Sequence, residues 1–147
     1  MNLHFLDKWR KGSGERRTAA PLAEAVREEP GAVAELLSEC ELLRAEAGRA
    51  GVELDDSAAS LAALDQLQPV WRDDPEVLPW LGNDAGLYLG TVLVRTVPGT
   101  RWRIRPDGQP VVALASGREI DVVAAGHEWA DDGAPELSQL YAEVAER

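Results

Sequence analysis

The feature that most constrains this fold is the long apolar stretch from Trp80 to Val97. Charged side chains interrupt it only at Asp84 and Arg95. A segment that is apolar on nearly every side belongs in a protein core. It is not a convincing membrane span, because about 20 apolar residues are needed and a charge lies near its start. The Pro-Gly pair after it would end a helix, whereas β-branched residues at 91–97 favour a strand; we expect a central helix.

Two glycines leave one face of this stretch without side chains. Gly86 and Gly90 are four residues apart, so on a helix they share one face. Small residues on one face let another backbone approach closely. Tight packing is the favoured interpretation, and a ligand lying against bare backbone is the alternative.

Length and composition predict one soluble domain. The chain has 147 residues, of which 45% are apolar, so it can bury roughly two-thirds of its unfolded surface. The single cysteine, Cys40, excludes an internal disulfide and a cysteine-based zinc site. Because the N-terminus has no apolar region long enough for export, we expect a cytoplasmic protein.

The net charge of −11 argues against nucleic-acid binding by the body of the protein. The charge is unevenly spread. Residues 1–17 carry five basic and two acidic side chains, a net +3, so the other 130 residues carry −14. We therefore divide the chain into a basic amphipathic extension with its linker, residues 1–17, and a single α+β domain, residues 18–147.

The basic extension interleaves aromatic and cationic side chains. Phe5 and Trp9 would be neighbours on a helix, and both are candidate binding residues. The segment 1–11 could contact a protein partner or a lipid surface peripherally, or fold back onto the domain. If it is a docking arm, its deletion should leave the melting temperature nearly unchanged.

Apolar residues at helical spacing predict helices at 21–28, 31–50 and from about residue 58, the last with a stripe of Leu61, Leu64, Leu67 and Trp71. Asp55, Asp56 and Ser57 are candidate N-caps for that third helix, and Pro69 should kink or shorten its last turn. Asp74 is interpreted as the next N-cap, followed by Pro75 in the first turn. A metal site there would need further oxygen ligands at fixed spacing, and none follow.

From Thr100 the apolar period changes to two, which predicts an antiparallel meander with strands at 101–105, 111–115 and 118–123. If Gly108 and Gly117 each close a three-residue loop, Trp102 lies opposite Val112 and Val112 opposite Ile120. One face is then apolar throughout, with Ile104, Leu114 and Val122 on the same side.

The other face of the meander is the main candidate binding surface. Basic side chains line the first strand, carboxylates line the third, and small apolar residues separate them. We interpret it as an exposed platform for a partner chain, or as a solvated face with weak cross-strand pairs. Its candidate binding residues are Arg101, Arg103, Arg105, Val111, Ala113, Glu119 and Asp121.

Signals for catalysis are weak. The sequence has no phosphate loop, no nucleophile elbow and no cluster of metal ligands, so no cofactor, metal or catalytic residue is assigned. His127 is the one histidine in the domain, and Glu119, Asp121 or Glu128 would have to orient it as a base. A structural or surface role for His127 is favoured.

Several longer segments resemble a family of small uncharacterised actinobacterial proteins. They are FLDKWRK at the start, ECELLR, WRDDPEVLPWLGNDAGLYLGTVLVRTVPG, and SGREIDVVAAG with ELSQLYAEVAE. The resemblance covers most of the chain and implies a domain of unknown function, with no substrate, cofactor or catalytic residue. The alanine- and arginine-rich, lysine-poor composition also fits a GC-rich source.

These observations predict an α+β fold: a helix-rich N-terminal two-thirds, a three-stranded antiparallel meander, and C-terminal helices. The expected function is that of a non-enzymatic, cytoplasmic bacterial module that binds or regulates a protein partner. The alternatives are an immunity-type inhibitor whose acidic body covers a basic toxin, and a small hydrolase-like enzyme that uses His127. The oligomeric state and the partner are left open.

Overall fold

The computed structural model describes residues 29–146. Over this range the chain forms six helices and a three-stranded antiparallel sheet, which confirms the α+β class with helices before and after the strands. The predicted helix at 21–28 and the basic extension, with Phe5 and Trp9, lie outside the described residues. The elements are α1 (Pro30–Leu37), α2 (Glu41–Arg49), α3 (Ala58–Arg72), α4 (Leu78–Thr96), β1 (Arg101–Ile104), β2 (Pro110–Ala113), β3 (Glu119–Ile120), α5 (Val122–Asp132) and α6 (Leu137–Ala145).

The prediction of one helix over 31–50 is wrong, because the helix is interrupted between α1 and α2. Cys40 adopts the left-handed conformation with φ of 41°, which a continuous helix does not allow. The N-terminus of α2 is capped from a distant element, since the backbone N–H of Leu43 donates to Asp84 Oδ2 at 3.2 Å. A cap so far along the chain leaves no local sequence signal.

Helix α3 starts as expected and ends later than expected. Ser57 is its N-cap, and its Oγ accepts from the backbone N–H of Ser60 at 3.3 Å. The helix continues through Pro69 to Arg72, so the proline does not shorten it. The predicted cap at Asp74 is wrong by one turn: its side chain accepts from the N–H of Glu76 at 3.0 Å, and α4 begins only at Leu78.

The central helix is confirmed: α4 is the longest described helix, and Leu81, Leu87, Leu89 and Leu93 are among its fully buried residues. Its glycines serve tight packing. A Cβ atom at Gly86 would overlap the carbonyl of Val122, and one at Gly126 would overlap the backbone at Gly82 and Gly86. Helices α4 and α5 therefore touch backbone to backbone.

The sheet has the predicted register. Trp102 pairs with Val112, and Val112 pairs with Ile120. Gly108 and Gly117 have φ of 90° and 92°, the left-handed conformation that the three-residue loops require. The inward residues Trp102, Ile104, Val112 and Leu114 belong to the hydrophobic core, and the Trp102 ring lies against Gly90 of α4.

The third strand is shorter than predicted. It ends at Ile120, and Val122 is the first residue of α5 instead of an inward strand residue. The reason is Asp121, which caps α5 by accepting the N–H of Ala124 at 3.1 Å. None of the helices between residues 29 and 146 combines the length and the apolar character that crossing a bilayer requires.

Candidate binding face of the sheet

The outer face of the sheet brings the predicted charges together. Because side chains alternate along a strand, β1 points Arg101 and Arg103 to the side opposite the core. The register places Arg101 and Glu119 on either side of Ala113, and Arg103 opposite Val111. Arg105 and Asp121 follow directly after β1 and β3. We call these five residues, Arg101, Arg103, Arg105, Glu119 and Asp121, the arginine–carboxylate face.

Most of these charges pair with one another across β2. Arg103 Nη1 lies 2.7 Å from Glu119 Oε2. Arg105 lies 3.7 Å from the other Glu119 oxygen and 3.2 Å from Asp121 Oδ2. Such partly exposed pairs contribute less than about 1 kcal/mol each to folding. The pairs do hold the guanidinium groups in defined positions, whereas the guanidinium group of an isolated surface arginine is free to move.

Val111 and Ala113 differ from the expectation of an exposed platform. Both lie on the outer side of β2, as the register required, but they are 0% and 1% exposed. The ion pairs of Arg103 and Arg105 with Glu119 span β2, above these two residues. The accessible part of this face is therefore charged, and the small apolar residues lie beneath it.

Arg101 stands apart from the pairs. Its residue is exposed, and it forms no ion pair with any residue in the described range 29–146. The Arg103 side chain is 62% exposed even though it is paired. The end of the face nearest Arg101 is thus the part at which a positive charge is most available to a partner.

His127 does not occupy a catalytic arrangement within the described residues. It lies exposed on α5, beside Gly82 of α4, and hydrogen-bonds neither Glu119, Asp121 nor Glu128. Two cavities, of about 460 and 70 Å³, are lined by other residues. In the part of the chain that the structure describes, no group of three His, Cys, Asp or Glu residues could hold a metal ion.

Sequence reasoning missed a polar network between α2, α3 and α4. The Tyr88 hydroxyl accepts the backbone N–H of Asp56 at 2.8 Å and shares a 2.6 Å hydrogen bond with Ser60 Oγ. Burial raises the pKa of the Tyr88 phenol above its ordinary value. Arg44 lies over the Tyr88 ring, 5.2 Å from its centroid, and pairs with Asp56 at 2.8 Å.

This network is structural. Arg44 also lines the larger cavity, but its nitrogens already donate to the carbonyl oxygens of Ser38, Glu39 and Leu54. With its donors occupied, it offers an anionic ligand little. The contacts that join Arg44, Asp56, Ser60 and Tyr88 connect residues 12 to 44 positions apart in sequence, so no local motif could have revealed them.

Comparison with known proteins adds a family assignment. A model described as a family of unknown function (DUF6278) matches residues 1–147. No curated protein and no solved structure shows a significant match.

Proposed function

The chain belongs to the family of unknown function DUF6278, and we propose that it is a non-enzymatic module that binds a protein partner through its arginine–carboxylate face. The observation that carries this proposal is the ordered row of three arginines on the outer side of the sheet. The ion pairs with Glu119 and Asp121 hold two of them in place, at 2.7 to 3.7 Å. Preordered arginines are effective anchors at interfaces, because less side-chain entropy is lost on binding.

The pattern of charges on the face also supports a specific interaction over nonspecific hydrophobic association. Its apolar residues, Val111 and Ala113, are covered, so an approaching partner meets charges of both signs at fixed positions. Complementary charge patterns select partners and accelerate encounter. We place this module in the cytoplasm of an actinobacterium, in keeping with its single cysteine and its arginine-rich, lysine-poor composition.

The test is affinity capture from the native host with three forms of the full chain: wild type, R101A/R103A, and a matched control, R49A/R72A. Both double variants remove two exposed positive charges. We expect one partner to bind the wild type and the control, and to bind R101A/R103A at least tenfold more weakly when Kd is remeasured with the purified partner. Equal binding by all three forms, or equal loss in both variants, would reject the proposal.

An inhibitor of a basic toxin is the second candidate, and the net charge of −11 favours it. Such a partner would meet carboxylates, so the loss of Arg101 and Arg103 would leave its binding unchanged or tighter. The same three proteins thus separate the two functions. Tighter capture of a basic protein by both double variants would indicate the inhibitor.

A further inference from the structure

The outer edge of β1 has the geometry of a strand-addition site. In an antiparallel pair, alternate residues point their backbone groups toward the neighbouring strand. The N–H of Arg105 donates to the carbonyl of Gln109 at 2.9 Å, across the closing pair of the hairpin. Every second residue back along β1 has the same orientation, so Arg103 and Arg101 also direct their N–H and C=O groups toward β2. Trp102 and Ile104 therefore direct their N–H and C=O groups away from the sheet.

No backbone group in the described range 29–146 pairs with that edge. The sheet order is β1-β2-β3, so β1 is terminal, and neither Trp102 nor Ile104 forms a backbone hydrogen bond to a loop between residues 29 and 146. As whole residues, backbone included, they are 6% and 8% exposed, and they belong to the core. The strand is thus anchored in the core, while its outward backbone groups have no hydrogen-bond partner among the described residues.

The charges beside the edge restrict what can pair there. Arg101, Arg103 and Arg105 lie at every second position along it. A second copy added symmetrically would place arginines against arginines, which is unfavourable across strands. An incoming strand with carboxylates on the outer face would instead meet Arg101, which has no ion pair with the described residues, and Arg103. Its alternate residues would face inward beside Trp102.

We propose that the edge of β1 binds an extended segment of a partner protein, in which acidic and apolar residues alternate, as an added fourth strand. This inference rests on the proposed function and specifies the partner's chemistry. Backbone hydrogen bonds to Trp102 and Ile104 would supply affinity, and the arginines would set the sequence preference.

The direct test uses the full chain and an acetylated, amidated hexapeptide that alternates glutamate and valine. Two control peptides replace every glutamate by lysine or N-methylate every amide. We expect both controls to bind at least tenfold more weakly. In hydrogen exchange measured by NMR, the saturating glutamate peptide should slow the amides of Trp102 and Ile104 at least tenfold while leaving that of Arg103 unchanged. Equal binding of the three peptides, or no protection at these amides, would overturn the proposal.

A matched pair of variants tests the edge without changing any charge. I104P removes the outward N–H and the side chain, whereas I104A removes only the side chain and keeps the N–H. Proline is tolerated where an edge N–H faces solvent. We expect I104A to bind the glutamate peptide within threefold of the wild type and I104P at least tenfold more weakly, after circular dichroism shows both folded. If neither variant folds, the peptide controls and the exchange data decide alone.

The outcomes distinguish this inference from the proposed function. If the native partner is lost in R101A/R103A but bound equally by I104P and I104A, the face binds its partner without strand addition, and only this inference fails. If R101A/R103A also has no effect, both fail. If sedimentation shows that the wild type is a dimer and that I104P is a monomer, a second copy of the chain occupies the edge. That result would overturn the proposal of an acidic partner segment.

Discussion

Tyr88 shows what a single buried hydroxyl contributes at the residue scale. The side chain is 0% exposed, yet its oxygen accepts from the backbone of Asp56 and shares a hydrogen bond with Ser60. Asp56 itself has a left-handed backbone with φ of 64°. The hydroxyl therefore ties α4 to the turn that precedes α3 and satisfies a backbone group that would otherwise lack a partner.

We expect Y88F to lower the free energy of unfolding by about 1–2 kcal/mol at pH 8, because the N–H of Asp56 loses its acceptor and Ser60 Oγ keeps only its hydrogen bond to the carbonyl of Ser57. The raised pKa of Tyr88 also predicts a pH dependence. Since the unfolded chain ionises first, near pH 10, this contribution is intact below about pH 10 and is lost as the pH rises through the folded-state pKa.

Urea unfolding of wild type and Y88F between pH 8 and 11.5 measures this effect. The difference between the two proteins should shrink above about pH 10, because only the wild type has this phenol to ionise. Other titrating groups are shared and cancel. A constant difference over the whole range would contradict the assignment.

At the scale of elements, the crossing of α4 and α5 depends on glycine. Gly86 faces the backbone of Val122 and Val123, and Gly126 faces the backbone of Gly82 and Gly86. Backbone cannot rotate away from an added methyl group as a side chain can. The two helices would have to separate, which would also disturb the sheet, because its Trp102 ring packs against Gly90 of α4.

We therefore expect G86A to lower the free energy of unfolding by about 3 kcal/mol through overpacking. Gly48 in α2 is the matched control, because a Cβ atom there meets nothing within 4 Å. G48A should raise stability by about 0.5–1 kcal/mol through helix propensity alone. Urea denaturation of both variants checks the pair, and a G86A protein as stable as G48A would show that the helices can move apart at little cost.

At the scale of the whole molecule, Asp65 links three helices. From α3 its carboxylate accepts the Trp129 indole N–H of α5 at 2.9 Å. It also accepts the backbone N–H groups of Leu137 and Ser138 at 2.9 and 3.1 Å, and the Ser138 hydroxyl at 2.6 Å. These N–H groups open α6, so a residue more than 70 positions away caps that helix and meets the positive end of its dipole.

We expect D65A to lower the free energy of unfolding by about 3 kcal/mol, because it leaves several buried donors without an acceptor. Asp73, an exposed residue at the end of α3, is the control, and D73A should change stability by less than about 0.5 kcal/mol. Because one core joins all these helices, the loss should be global.

Urea curves followed by far-UV circular dichroism and by tryptophan fluorescence measure whether the loss is global. They should coincide in the wild type and in D65A, at a lower midpoint in the variant. Separate transitions in D65A would mean that α6 detaches alone and that Asp65 has only a local role.

The amino-acid sequence by itself determined the elements whose signals are local. The apolar run at 80–97 specified a core segment, and the Pro-Gly pair after it favoured a helix over the strand that its β-branched residues allowed. The turn chemistry at Gly108 and Gly117 specified the hairpins, and the hairpins specified which residues share a face of the sheet. These inferences succeeded because side-chain period and left-handed turn positions are properties of a few neighbouring residues.

Only the tertiary structure decided what depends on contacts between distant residues. Contacts between residues more than 40 positions apart accompany the helix break at Cys40 and supply two helix caps. Cys40 contacts Asp84 at the break, Asp84 caps α2, and Asp65 caps α6. The burial of Val111 and Ala113 on the outer side of β2 likewise depends on neighbours that only the packed chain brings together. Each of these features is stabilised by burial and by a hydrogen bond or ion pair that exists only once the chain is packed, so no short stretch of the sequence could specify it.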